Sequence, residues 1–195
     1  MKNKIIRDKN FLIRYFFEYK SLLNFDENII KNLINLKKIF LNNSRIGKKI
    51  LIFGNGGSAA IASHFSVDLT KNAGVRAVNF NEADLITCFS NDFGYENWVS
   101  KAIHYYMDEG DIVIFISSSG KSKNMINAVK FARLKKAKKI ISFTGFNKNN
   151  LLVKKSDINF WVNSKAYNLI ENIHQLWLLS LVDLIIGKSI YSARR

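Results

Sequence analysis

Apolar positions along this chain change their period once. Over the first 45 residues they recur at helical spacing: Phe11, Ile13, Phe16 and Phe17, then Leu22 and Leu23, then Ile29, Ile30, Leu33, Leu36, Phe40 and Leu41. The pattern predicts two helices, with Asp26 and Asn28 placed to cap the second. Beyond them come short apolar runs that read as buried strands, at 49–53, 77–80, 112–116, 139–143 and 158–162. Helical stretches separate these runs, at 58–71, about 95–107, 122–136 and finally 167–186. Apolar strands alternating with helices make a parallel sheet covered on both faces. The expected fold is therefore a single α/β domain: a five-stranded parallel sheet flanked by helices (46–190), with an N-terminal helical extension (1–45) belonging to the same domain. The apolar faces of the extension need a cover, either the chain's own domain or a partner subunit.

In such sheets ligands bind beyond the carboxyl ends of the strands, so chemistry is sought in the strand-to-helix turns. The first such turn is Gly54, Asn55, Gly56, Gly57 and Ser58. Its glycines allow close backbone approach, and the helix that follows offers unpaired N–H groups and a positive dipole end. The second is Ser117, Ser118, Ser119, Gly120, Lys121 and Ser122. Four hydroxyls around one glycine at a helix start suit a phosphate, and Lys121 adds charge. A Walker loop is excluded, because the position five before Gly120 is Phe115 and the one five before Gly187 is Val182. A dinucleotide fingerprint is excluded because its last glycine position holds Ala59. No nucleotide cofactor is expected.

Composition narrows the classes further. A chain of 195 residues, 48% hydrophobic, is long and apolar enough for one full core and is not a disordered tail. The absence of proline excludes collagen-like and polyproline segments. A single cysteine, Cys88, cannot form an internal disulfide, which points to a reducing, cytoplasmic setting. The N-terminus is basic, but Asn10, Arg14, Glu18 and Lys20 interrupt any signal-like run. The apolar stretch 176–186, broken by Ser180 and Asp183, reads as a buried helix rather than a membrane span.

The formal net charge is +15, from 30 Lys+Arg against 15 Asp+Glu. Such a balance suits nucleic acid, an anionic membrane surface or anionic small ligands. A Lys-, Asn- and Ile-rich composition also follows from a biased codon supply. The lysines are spread in pairs, and no block of five or six like charges marks a nucleic-acid arm. Nucleic acid and membrane are not the expected partners.

Three histidines carry the acid–base and metal candidates. His64 and Asp68 stand four apart on the helix after the first turn, and Glu171 and His174 stand three apart on the last helix. Each pair therefore shares a helix face, a plausible arrangement for metal binding or proton transfer as well as for ordinary surface pairing. His104 has no comparable partner and reads as structural.

Taken together, the run Gly54 to Ala60, His64 and Phe65, the segment Asn91, Asp92, Phe93, Gly94 and Tyr95, and the run Ile116 to Ser122 resemble the sugar isomerase (SIS) family. The nearest branch is that of the phosphoheptose isomerases, which convert sedoheptulose 7-phosphate to a heptose phosphate for surface polysaccharide precursors. The resemblance implies a phosphate clamp at Ser117, Ser118, Ser119 and Ser122. It implies a substrate loop at Asn55, Gly56 and Gly57, with Ser58 beside it, and a substrate-contacting pair at Asn91 and Asp92. His64 and Asp68 match a histidine and a glutamate of the family, which bind zinc and, through the glutamate, act as base. Glu171 stands where the family has a glutamine, and His174 matches a histidine. Leu179 stands where the family has a second histidine, its general acid and zinc ligand. The expected catalytic set is Asp68, Glu171 and His174, and the expected ligands of one zinc ion are His64, Asp68 and Glu171. The resemblance also implies a homotetramer with shared sites. Leu179 keeps an alternative open: a non-catalytic, phosphosugar-binding or regulatory protein-binding SIS module. A non-catalytic branch that binds the bacterial replication initiator has lost such residues too.

Overall fold

A computed structural model of the chain describes residues 2–23 and 27–191; the expected cap Asp26 lies outside them. Two helices, α1 (Lys2–Leu22) and α2 (Glu27–Arg45), precede the sheet. The sheet then alternates with helices: β1 (Ile50–Gly54), α3 (Gly57–Lys71), β2 (Ala77–Asn79), α4 (Ala83–Phe93), α5 (Trp98–Tyr106), β3 (Ile112–Ser117), α6 (Lys123–Leu134), β4 (Lys139–Thr144), α7 (Leu151–Lys155), β5 (Ile158–Trp161) and α8 (Tyr167–Ile186). The five strands run parallel in the order β2-β1-β3-β4-β5.

Strand side chains alternate between faces, and each face has its own core. Ile50, Ile52, Ile112, Ile114 and Ile141 face the side covered by α2, α3 and α8. Leu51, Phe53, Val113, Phe115 and Ile140 face the side covered by α5, α6 and α7. Both faces are dry, which is why the strands read as unbroken apolar runs rather than as an alternating pattern.

The extension divides between these layers and solvent. From α2, Leu36 and Phe40 are fully buried in the first core. Along α1, Ile5, Ile6, Phe11, Leu12, Ile13, Phe16 and Phe17 are all exposed, with Phe17 at 74%. Only its C-terminal end, through Tyr19 and Leu22, packs on the core. At the other end of the chain, α8 has the length and apolar composition of a membrane span, yet Ile170, Ile173, Trp177, Leu178, Leu181 and Val182 lie inside the first core.

Two helices were not predicted. None of the residues of α4 is fully buried; Leu85, Ile86 and Phe89 lean on the second core from outside. The five-residue α7 is set by its cap: Asn150 Oδ1 accepts from Val153 N at 3.0 Å.

The order of strands places the site. From β1 the chain crosses to β2 on one side, and β3 then pairs on the other. The ends of β1 and β3 are therefore neighbours at a topological switch point, with Gly54 opposite Ile116.

Candidate functional site

The two turns read separately in the sequence meet at this switch point. Asn55 of the first turn and Asn124 of the first turn of α6 form a reciprocal amide pair, with N···O distances of 3.1 and 3.0 Å. Asn124 is buried, and its Oδ1 also accepts from Met125 N at 3.0 Å, which fixes its orientation. Tyr95 donates its hydroxyl to Asn55 Oδ1 at 3.1 Å. Asn55 is thus held from two sides, and the two anion-seeking turns become one concave surface.

In the second turn, the Ser117 and Ser122 hydroxyls are 3.1 Å apart. The Ser118 hydroxyl is buried with no partner among the described residues, an available donor beside the start of a helix. Ser119 Oγ accepts from Lys121 N at 3.3 Å, while Lys121 itself is exposed. Gly120 is required twice over: its φ is +63°, and a Cβ there would collide with the amide of Asn150, the cap of α7. The expected phosphate clamp is thus brought together as a unit.

The first turn is closed by α8. A Cβ on Gly57 would run into the Glu171 carboxylate, so glycine at this position is what admits Glu171 to the start of α3. Burial pushes the Glu171 carboxyl above the usual carboxylate range. Ser58, one residue on, is buried at 3% exposure and belongs to the wall of the turn.

Further along α3, His64 and Asp68 pair as their spacing predicted, with His64 Nε2 3.3 Å from Asp68 Oδ2. Two residues that the sequence reading passed over complete this group. Asn72 Nδ2 donates to Asp68 Oδ1 at 3.0 Å, and Gln175 Nε2 lies 3.4 Å from His64 Nδ1. Both were within reach of the same logic. Asn72 continues the series 64, 68, 72 by one more helical turn, and Gln175 stands one turn beyond Glu171. Asn124 carried no periodic signal of its own, and Tyr95 was named only as the end of the segment that begins at Asn91, with no site role.

The expectation for His174 is corrected. Its ring is fully buried against Phe143 and Trp177, and its Nε2 bonds to the Thr144 carbonyl at 3.1 Å. Burial lowers its pKa to about 4, so the ring is neutral at physiological pH. A neutral imidazole sealed in the core reaches no sugar; it ties α8 to the end of β4. Asn91 and Asp92 are exposed near the end of α4 and bond to each other at 3.0 Å; it is Tyr95, after that helix, whose side chain bonds to the Asn55 loop.

The expected zinc set also comes apart. His64 and Asp68 lie together, but Glu171 stands at Gly57, and among the described residues no group of three His, Cys, Asp or Glu side chains is placed to hold a metal. Protein zinc sites use three or four such ligands. The donors of one chain therefore do not fit the ion. A cavity of about 500 Å³ lies elsewhere, between the α1–α2 corner and β5, and none of the candidate residues lines it.

Comparison with known proteins shows the family of this chain. The model of the SIS domain family matches residues 14–145. The phosphoheptose isomerase of Photorhabdus laumondii is 37% identical over 147 residues, covering 72% of this chain and 75% of its own length. That of Buchnera aphidicola is 34% identical over 183 residues, covering 91% of this chain and 90% of its own. Among solved structures, phosphoheptose isomerase GmhA from Neisseria gonorrhoeae superposes with a TM-score of 0.82 at 28% identity, over 91% of this chain and 98% of that one.

Proposed function

The chain belongs to the SIS domain family, and we propose that it is an aldose–ketose isomerase of a sugar phosphate, with sedoheptulose 7-phosphate as its substrate. One observation carries the reading. The hydroxyl-rich turn suited to a phosphate is joined through Asn124 and Asn55 to a glycine turn at which a carboxylate of raised pKa stands.

The phosphate is held by Ser117, Ser118, Ser119 and Ser122 with the first amides of α6. A seven-carbon chain spans about 8 Å between its terminal carbons by ordinary C–C geometry. Anchored at its phosphate end, the sugar extends past Asn55, Gly56 and Gly57 to Glu171, and Asp68 reaches it in a site shared between subunits. Asp68 takes the proton from the carbon beside the carbonyl, and the C–H electron pair becomes the double bond of an enediol. Protonated Glu171 gives its proton to the carbonyl oxygen. It then takes one from the neighbouring hydroxyl, and Asp68, its proton open to exchange with water, protonates the other carbon. A carboxylate that must both give and take a proton works best with a pKa moved toward the operating pH, which is the direction burial moves Glu171.

The working protein is a cytoplasmic homotetramer with sites shared between subunits. The exposed apolar stripe on α1 supports this, since soluble chains rarely leave so many large apolar side chains in water. The surplus positive charge steers an anionic substrate without needing to touch it.

The test is turnover of sedoheptulose 7-phosphate followed by NMR, alongside binding by calorimetry. Formation of the aldose phosphate is expected. Binding without turnover favours the second reading, a non-catalytic phosphosugar-binding module, for which Leu179 and the buried His174 speak.

A further inference from the structure

We propose that the cavity between the α1–α2 corner and β5 is a second ligand site, one that takes a monosaccharide carrying a single phosphate. Its volume of about 500 Å³ falls within the range of about 300–1,000 Å³ usual for small-molecule sites. Two of the three tryptophans of the chain, Trp161 and Trp177, line it. Trp177 is only 4% exposed, and the indole N–H of each is buried with no partner among the described residues. A buried donor without an acceptor costs free energy until one arrives. Four carboxamides, Asn28, Asn32, Asn159 and Asn163, share the wall, and none of them makes a side-chain hydrogen bond among the described residues.

The chemistry of the wall selects the ligand. Carboxamides both donate and accept, and so do sugar hydroxyls; the indole nitrogens only donate, so they call for oxygen. The rings are already packed: Trp177 lies against Phe160 and His174, and Lys148 Nζ stands 5.6 Å from the centre of the Trp161 ring. Recognition therefore falls to hydrogen bonds rather than to the stacking of a base. Lys148 is the only charged side chain among the described lining residues, and it has no carboxylate partner among them, which suits one anionic group on the ligand. With no carboxylate or histidine among those residues, the cavity binds without reacting. It is separate from the serine clamp, which lies at the end of β3, and it stands independently of the isomerase reading. Trp177 shares α8 with Glu171, so an occupant here acts as an effector on the helix that carries the proposed proton carrier.

The test is a fluorescence titration of the full chain with glucose 6-phosphate, since two of the three tryptophans report on the cavity and Trp98 lies in the second core. The tryptophan emission is expected to change saturably, and to do so still in the double variant Ser118→Ala/Ser122→Ala, which disables the clamp. Lys148→Ala, at an exposed position that leaves the fold intact, is expected to weaken this binding about 10-fold, the scale of one hydrogen bond to a charged group. Trp161→Phe is expected to remove much of the signal. Glucose alone and inorganic phosphate alone are each expected to bind about 10-fold more weakly or worse, because each lacks half of the contacts. An unchanged wild-type emission overturns the proposal. So does a change that the clamp variant abolishes, or one that Lys148→Ala leaves untouched. A change reproduced in full by inorganic phosphate overturns it as well, since no sugar is then recognised. The readout needs no turnover, so failure of the isomerase leaves this site standing, and failure of this site leaves the isomerase standing.

Discussion

Glu171 and His174 lie three residues apart on α8, and both are titratable groups on what the spacing made one face. Yet the helix sends them to opposite sides of its packing surface. Glu171 reaches the glycine turn at the start of α3, half-buried, with its pKa raised. His174 turns under β4, fully buried, with its pKa lowered to about 4 and its Nε2 spent on a backbone carbonyl. Burial disfavours the charged form of each, but the outcomes differ. The carboxyl becomes better suited to trading protons near neutrality, whereas the imidazole is withdrawn from it. Helical spacing says which residues are neighbours; depth decides which of them does chemistry.

The sharpest way to break this contrast is to exchange the roles. Glu171→Gln keeps the shape and removes the proton carrier. It is expected to lower kcat by about 10² to 10⁴, the range for losing a general acid–base group, without loss of fold. A Glu171→Gln enzyme with wild-type kcat removes the outer face from the mechanism. Conversely, His174→Ala leaves a void and removes one of the two partners of the Thr144 carbonyl, which keeps its bond from Val162 N, and is expected to cost about 2–4 kcal/mol of stability in denaturant unfolding. Its kcat per folded molecule stays near wild type. The opposite result, lost turnover at unchanged stability, reverses the assignment.

The pH dependence of stability separates the two groups by sign. For His174 the folded pKa, about 4, lies below the ordinary histidine value of 6.5, so the unfolded chain binds the proton first. Its contribution is present above about 6.5 and is lost as pH falls toward 4, worth at most about 3 kcal/mol. For Glu171 the folded pKa is raised, so its stabilising contribution is complete in acid and disappears as pH rises through that pKa. Glu171→Gln is therefore expected to stabilise the fold near neutrality and to lose that advantage in acid. Denaturation curves across the pH range check both signs. The smallest effect lies at the clamp. Ser122→Ala removes one hydroxyl donor and is expected to raise KM about 10-fold, the scale of one hydrogen bond to a charged group, with kcat little changed.

Much of the fold was legible because both cores are dry. Each strand announced itself as an apolar run ending in a turn, and the observed strands fall within two residues of the predicted ends. The helices that failed to announce themselves are those with little core to mark them: α4, which buries no residue completely, and α7, which depends on the Asn150 cap. At the site, the glycine and serine turns were readable as local clusters, and His64 with Asp68 was readable from spacing. Their union was not. The Asn55–Asn124 pair joins residues 69 positions apart, and no periodicity encodes such a contact. Nor does spacing reveal that Gly57 yields its place to Glu171, or that His174 lies beneath the surface it was expected to serve.

The central claim, that Glu171 and Asp68 together move protons on a phosphosugar held by the serine turn, has one direct measurement. The protein is incubated with sedoheptulose 7-phosphate in D2O and the sugar is followed by NMR. The account predicts an aldose phosphate carrying deuterium at the carbon that receives the proton, with the rate reduced at least 100-fold, roughly the lower bound for a lost acid–base group, in both Asp68→Asn and Glu171→Gln. A sugar that binds but shows neither product nor exchange, or turnover that survives both substitutions, contradicts it.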